Sequence, residues 1–425
     1  MLDIKLFREA PELVKKNYAK RKDPKLIKNV DELIKNDKDW RASLKKLEEL
    51  KRLRNEVSQQ VPKLKGVEKQ KKIDEMKKNN EAITKQESQV EKLKNEINQL
   101  LLRLPNLLHE SVPYGKDDSE NVELRKWGVI KKDYKPKSHV DILTEYDLGD
   151  TDKASEVSGA RFYYLKGDLV LLDYALMRFA LDKLVNKGFT AVEPPYMLRK
   201  EPYEGVTDLA DFKDVMYKIE GEDLYLIATS EHPIAAMHMN EVLDKKKIPL
   251  KYAGISPCFR KEAGAHGKDT KGIFRVHTFN KVEQFVYCKP EESWKIHEEL
   301  IKNAEEIFKE LEIPYRVVNI CTGDIGIVAA KKYDIEAWYP TQGTYREVVS
   351  CSNCTDYQAR RLNIKYLNDR GEKECVHTLN STAIATSRVM VAIIENFQNP
   401  DGSISIPKAL WPYMNKKIIK KKIKQ

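Results

Sequence analysis

The chain lacks any run of about 18 or more apolar residues, so it contains no sequence candidate for a membrane-spanning helix. Its first residues, MLDIKLFREAPELVKK, hold no apolar signal core, and Asp3, Glu9 and Glu12 argue against a transit peptide. Cysteine is scarce: six in 425 residues, with one close pair, Cys351 and Cys354. That excludes a disulfide framework and points to a reducing, cytoplasmic compartment. There is no GxGxxG and no P-loop, and the histidines form no HExxH or paired metal spacing. What is present is a charge-rich globular composition, 41% hydrophobic and 33% charged, with a net charge of +10. The length suggests two to three domains. The basic excess fits a protein that meets a polyanion over part of its surface, and equally an enzyme with no such partner.

Residues from about 40 to 104 differ in composition from the rest. They hold no Cys, one Gly (Gly66) and one Pro (Pro62), and they are rich in strong helix formers. Met76, Ile83, Val90, Ile97 and Leu104 recur every seven residues, with Leu93 and Leu100 at the second seam position. An earlier stripe runs through Trp40, Leu44, Leu47, Leu50, Leu53, Val57 and Val61, and VPKLKG breaks the helix between the two. This predicts an antiparallel helical hairpin with arms of about 25 residues, roughly 40 Å long. The other faces carry Lys45, Lys46, Lys51, Arg52, Arg54, Lys63, Lys65, Lys69, Lys71, Lys72, Lys77 and Lys78. Interleaved glutamates leave two readings open, a solvated surface or a nucleic-acid face.

From 106 to 163 the chain reads as a connector of turns and short pieces. From 164 to 415 helical and strand patterns alternate, and 416–425 is a basic tail. Hairpin-like joins between the strands predict an antiparallel sheet flanked by helices, hence an α+β fold. CFRKEAGAHGKDTKGIFRVHTFNKVEQF is the most informative stretch. A strand placing Arg260 and Glu262 on one face leads into a basic loop with Gly264, His266, Gly267, Lys268, Lys271 and Gly272. A return strand would carry Arg275, Phe279 and Glu283 on one face. Guanidinium groups clamp phosphates and an aromatic ring stacks on a base, although a charged hairpin without such a role has the same pattern.

The sequence resembles a seryl-tRNA synthetase, one of the class II aminoacyl-tRNA synthetases, and most the eukaryotic cytosolic type. The N-terminal hairpin is followed in order by GFTAVEPPYM, resembling motif 1, then FRKE to RVHTFNKVEQF, resembling motif 2, and LNSTAIATSR, resembling motif 3. The triplet Thr229, Ser230, Glu231 and the block EVVSCSNCTDYQARR are more specific still. The resemblance implies a two-step reaction that makes seryl-adenylate from serine and ATP, then charges the 3′-terminal adenosine of serine tRNA. Selenocysteine tRNA stays open as a second acceptor.

By that resemblance Arg260 would hold the α-phosphate and the serine carboxylate, and Glu262 the adenine amino group. Phe279 would stack on one face of adenine and Arg388 on the other, with Arg388 also reaching the γ-phosphate. Arg275 would meet the outer phosphates, and Lys261, Val276, Val348 and Val349 would border ATP. Glu347 and Ser350 would ligate Mg²⁺ arriving with ATP. Thr229, Ser230, Glu231, Glu283, Asn380 and Thr382 would bind serine. Motif 1 near Pro195 would form a homodimer interface, and the hairpin would grip the long variable arm of the tRNA. Motif 3 departs from the Gly-rich class pattern, with Ser381, Ala383 and Ala385 before its Arg.

Cys351 and Cys354 alone are half a zinc site, so no zinc is expected and the thiols read as small packing residues. Two rivals remain: a synthetase-like paralogue serving another acceptor, and a coiled-coil interaction protein without catalysis.

Overall fold

A computed structural model describes residues 1–131, 134–208, 215–262, 269 and 271–421. The chain divides into two compact units, Met1–Leu107 and Leu108–Gln425. No helix among the described residues is long and apolar enough to cross a membrane.

The first unit is all helix. Helix α1 (Ile4–Glu9) starts where the Asp3 carboxylate accepts from the Lys5 N–H at 2.8 Å, and α2 (Pro11–Ala19) starts with proline at its first position. Helix α3 spans Pro24–Gln60 and α4 spans Gly66–Arg103, joined by a single 3₁₀ turn at Val61–Lys63. The hairpin is present, but α3 begins well before residue 40. Its start signal is Asp23 followed by Pro24, and the Asp23 side chain accepts from the Lys25 N–H. At 37 and 38 residues the arms reach about 55 Å. Leu26, Val30 and Leu33 are buried in the first turns of α3, which run beside the end of α4, where Glu32 shares a groove with Asn95 and Gln99; α1 and α2 also pack on α3. Leu53, assigned to the stripe, is 48% exposed. Asp37 is buried, yet its carboxyl stays below its ordinary pKa: burial alone would raise it, and hydrogen bonds from Arg8 (2.6 Å) and Arg41 (3.0 Å) outweigh that.

The second unit is built on an eight-stranded sheet. In chain order its strands are β1 (Val122–Trp127), β2 (Thr190–Val192), β3 (Leu250–Phe259), β4 (Thr278–Cys288), β5 (Tyr315–Asn319), β6 (Lys331–Tyr339), β7 (Thr344–Asn353) and β8 (His377–Ala385). Their spatial order is β1-β5-β6-β7-β8-β4-β3-β2. Every pair is antiparallel except β2 with β3 at one edge. The expected α+β fold with an antiparallel sheet is therefore observed, with one parallel pair added. The segment expected to be a connector supplies β1 and two short helices, His139–Glu145 and Thr151–Ser158.

Alternation along β4 sorts the side chains. Asn280 donates to Asp173 in helix Asp168–Asn186, and Gln284 donates to the Leu300 carbonyl in helix Ser293–Glu310. Phe279, Lys281 and Glu283 therefore point the other way, into the cavity described below.

Gly254 on β3 is a close-approach position. A Cβ there would lie 2.4 Å from the Ile234 side chain and 2.7 Å from Ser230 Oγ. Gly254→Ala is expected to destabilise the protein by about 1–3 kcal/mol through overpacking. Urea denaturation checks this, and an unchanged midpoint would refute it.

Candidate active site

A cavity of about 350 Å³ opens over the middle of the sheet, between the β3–β4 hairpin and strands β6, β7 and β8. Of the residues singled out from the sequence, fourteen line it: Thr229, Glu231, Arg260, Glu262, Arg275, Val276, Phe279, Glu283, Glu347, Val348, Ser350, Asn380, Thr382 and Arg388. Three do not. Ser230 is fully buried, and its hydroxyl donates to the Gly254 carbonyl at 3.3 Å, so it supports the Thr229–Glu231 turn from behind. Val349 is buried in the hydrophobic core. The Lys261 N–H is bound to the Val215 carbonyl at 2.8 Å, and the residue lies off the cavity wall. His266, Lys268, Gly264 and Gly267 fall outside the described residues.

The local geometry differs from the strand reading at two places. Strand β3 ends at Phe259, so Arg260 and Glu262 are not strand neighbours; Glu262 sits at φ +50°, in the left-handed region. Arg275 likewise precedes β4, which starts at Thr278. The turn still brings them together: Arg275 Nη1 donates to Glu262 Oε2 at 2.8 Å. The Arg260 guanidinium lies 5.3 Å from the Phe279 ring centre, and its Nε donates to the Ala228 carbonyl at 3.3 Å. Arg388, near the start of helix Thr386–Asn396, lies over Phe274 at 5.2 Å and donates to the Glu347 carbonyl at 2.7 Å. Phe274 is a cavity residue that the sequence did not single out, as are His232, Lys281 and Lys332.

Glu347 and Ser350 are three apart, a spacing that regular alternation would send to opposite faces. A β-bulge prevents this. Ile335 pairs with Val349 and Glu336 with Glu347, so Val348 is an extra residue in β7. The bulge puts the carboxylate and the hydroxyl on one cavity wall, where they form a hard oxygen pair suited to a divalent cation. Among the described residues no group of three or more His, Cys, Asp or Glu is arranged to hold a metal, so the protein offers an open pair of donors and not a cage.

Electrostatics divide the cavity. At one end Arg260, Arg275 and Arg388 concentrate positive charge. There Glu347 stays below the ordinary carboxylate range: burial opposes ionisation, but Arg388, Lys332 and Arg260 outweigh it. At the other end Glu231 is partly buried in the cavity wall, and desolvation, together with the nearby Glu283 carboxylate, pushes it up to about 7. Asn380 Nδ2 donates to Glu231 at 3.0 Å and Gln358 Nε2 at 3.4 Å. Burial lowers His232 to about 3, so the imidazole is neutral near pH 7 and beside Tyr203 Oη at 3.0 Å. The two thiols of the Cys-x-x-Cys are buried and turn to different neighbours: Cys351 to the His297 carbonyl (3.8 Å) and Cys354 to Asn380 (3.7 Å).

The fold is that of a class II aminoacyl-tRNA synthetase. Residues 215–397 match the model for the tRNA synthetase class II core domain (G, H, P, S and T), and residues 1–108 match the seryl-tRNA synthetase N-terminal domain. The chain is 56% identical to the serine–tRNA ligase of Thermococcus sibiricus, with 97% of this chain and 96% of the relative covered. It is also 56% identical to that of Methanocella arvoryzae, with 98% and 99% covered. Among solved structures it is similar to the seryl-tRNA synthetase of Pyrococcus horikoshii complexed with ATP, at TM-score 0.93 and 55% identity over 99% of both chains. The cytoplasmic serine-tRNA ligase of Naegleria fowleri in complex with AMP matches at TM-score 0.89 and 41% identity, over 100% of this chain and 99% of that one. The chain belongs to the seryl-tRNA synthetases. The expected leaning toward the eukaryotic cytosolic type is corrected: these archaeal relatives are nearer than the eukaryotic one.

Proposed function

We propose that the chain activates serine with ATP and transfers the seryl group to serine tRNA. The observation that carries this is the joining, in one cavity, of a three-arginine end to a carboxylate, amide and hydroxyl end. The first suits a triphosphate and the second an amino acid with an ammonium and a hydroxyl.

In the first half-reaction the serine carboxylate attacks the α-phosphorus of ATP in line, and the bond to the leaving pyrophosphate breaks. This needs positioning and charge neutralisation, with no protein nucleophile. Arg260 binds the α-phosphate and the serine carboxylate. Arg275 and Arg388 hold the outer phosphates, Phe279 packs against adenine, and Glu262 reads its amino group. Thr229, Glu231 and Glu283 bind the serine ammonium; Glu283 and Thr382, beside Asn380, read the hydroxyl. Glu347 and Ser350 fit a divalent cation, Mg²⁺ in our reading, which when bound neutralises phosphate charge. In the second half-reaction a ribose hydroxyl of the terminal adenosine takes the seryl group and AMP leaves.

Pyrophosphate exchange with a panel of amino acids, followed by charging of total tRNA, tests this reading. Absence of serine-dependent exchange would overturn it, and with exchange intact the identity of the charged tRNA settles the acceptor. The raised Glu231 adds a pH dependence. Its empty-site carboxyl favours the protonated form below about 7, whereas the ammonium needs the ionised form. Thus kcat/KM for serine is expected to fall as pH drops below about 7, approaching tenfold per unit on the acid limb. Glu231→Gln should be weaker and should lose this limb; a wild-type profile flat from pH 8 to 5.5 would refute the assignment.

The chain also forms a homodimer through the region of Pro195 in our reading. Support comes from helix Asp168–Asn186 beside β2, where Leu171 and Tyr174 are 48% and 64% exposed. A monomer in sedimentation at micromolar concentration would refute it.

A further inference from the structure

One cation at the amino-acid end has no role in the scheme above. Lys281 projects from β4 between Phe279 and Glu283, on the cavity face of that strand. It is 5% exposed, and Glu283 is 1% exposed. The Lys281 ammonium forms an ion pair with Glu283 Oε2. Thr382 donates its hydroxyl to the same oxygen at 3.4 Å, from the position on β8 directly opposite Glu283 in the strand register. Two donors from two strands therefore converge on one carboxylate oxygen. Among the described residues no hydrogen bond reaches Oε1, although Glu283 lines the cavity. A carboxylate held by one oxygen presents the other in a fixed direction, as outer partners orient the ligands of a metal site.

We propose that Lys281 is a positioning residue: it pins Glu283 through Oε2 so that Oε1 meets the side-chain hydroxyl of the bound amino acid, and so contributes to selection of serine over alanine. This rests on the serine-activating reading. A purely structural countercharge would also sit beside a buried glutamate. The two roles separate in their kinetics. A countercharge that only maintains the fold supports all substrates alike, whereas an orienting residue affects the amino acid that bears the hydroxyl. A site built to hydrogen-bond a hydroxyl disfavours an analogue without one, because its own acceptor is left unpaired.

The test is pyrophosphate exchange by the full-length protein with serine and with alanine. Lys281→Met is expected to raise the serine KM roughly tenfold or more, leave the ATP KM within about twofold, and cut the serine-to-alanine ratio of kcat/KM roughly tenfold. Lys281→Arg, which keeps the charge, should recover most of that ratio. An unchanged ratio in Lys281→Met, or an ATP KM raised as much as the serine KM, overturns the proposal. If Lys281→Met shows no cooperative melting, Lys281→Gln takes its place and must lower the same ratio; no change there overturns the proposal too. A wild type silent with serine overturns the underlying function and this inference with it. An active wild type with an unaltered ratio in the variants overturns this inference alone.

Discussion

Excising residues 51–78 and joining Leu50 to Asn79 through a short Gly-Ser linker is expected to leave serine-dependent pyrophosphate exchange within about twofold of wild type. Charging of serine tRNA should fall roughly a hundredfold or more, as expected when a set of phosphate contacts is lost. The junction follows the helix pairing. Asn79 Nδ2 donates to the Leu50 carbonyl at 3.1 Å, so the chain ends already face each other, and Gln86 to the Ser43 carbonyl at 3.1 Å keeps the next turns paired. The removed tip holds ten basic residues against four acidic ones, and Arg52, Lys63, Lys65, Lys69, Lys71, Lys77 and Lys78 within it are exposed. What remains keeps Leu26, Val30 and Leu33 in α3, with α1 and α2 packed on that helix. Raising salt should weaken charging by the wild type much more than by the shortened form, because counterion release scales with the phosphates contacted. Equal loss of exchange and charging in the shortened protein would defeat the assignment of the hairpin to tRNA.

Arg260→Met should lower kcat for pyrophosphate exchange by roughly 10²–10³, the size seen when one preorganised donor is removed from a developing charge. The methionine keeps much of the stem that packs near Phe279, so melting should change little. Arg260→Lys should remain at least roughly tenfold impaired, because an ammonium cannot replace a planar fork that binds two oxygens at once. Exchange by Arg260→Met within tenfold of wild type would remove Arg260 from the phosphate role. The geometry favours a large effect: Arg260 is held from behind by the Ala228 carbonyl and stacked on Phe279, so its direction is set before substrate arrives.

The sequence made some of this visible and hid the rest for physical reasons. The heptad stripe gave the hairpin and its break at Pro62, because a long seam repeats one environment. It did not give the start of α3, because Leu26, Val30 and Leu33 keep the four-three spacing but the next position is Asp37, a buried charge that pairs with Arg8 and Arg41 and reads in the sequence as a break. Arg260, Glu262, Arg275, Phe279, Glu283 and Arg388 were legible because charged and aromatic side chains cluster around one hairpin and one later helix. Lys281 and Lys332 were not. A lysine in a strand ordinarily faces water, and its burial follows only from strands brought together from distant parts of the chain: Lys281 lies opposite Ala385, and Lys332 opposite Ser352. Ser230 turns its side chain from the cavity for the converse reason. Its neighbours Thr229 and Glu231 face the cavity, and the turn gives no sequence sign that the residue between them faces Gly254.

The bulge at Val348 has a consequence for how the site can be lost. The facing of Glu347 and Ser350 depends on the parity of β7, not on its composition. Removing Val348 alone would leave both oxygen-bearing residues in the chain and restore strict alternation. With the spacing then even, Glu336 opposite Glu347 and Ile335 opposite Val349 become consecutive rungs without any slip, and the two oxygen donors keep their common face. The damaging change is the opposite one: a residue inserted in β6 between Ile335 and Glu336 would give Val348 a partner, make the ladder regular, and send Glu347 and Ser350 to opposite faces. A single-codon insertion on the neighbouring strand can thus undo the site as thoroughly as replacing its glutamate, while a comparison of residue identities would find every candidate ligand still in place.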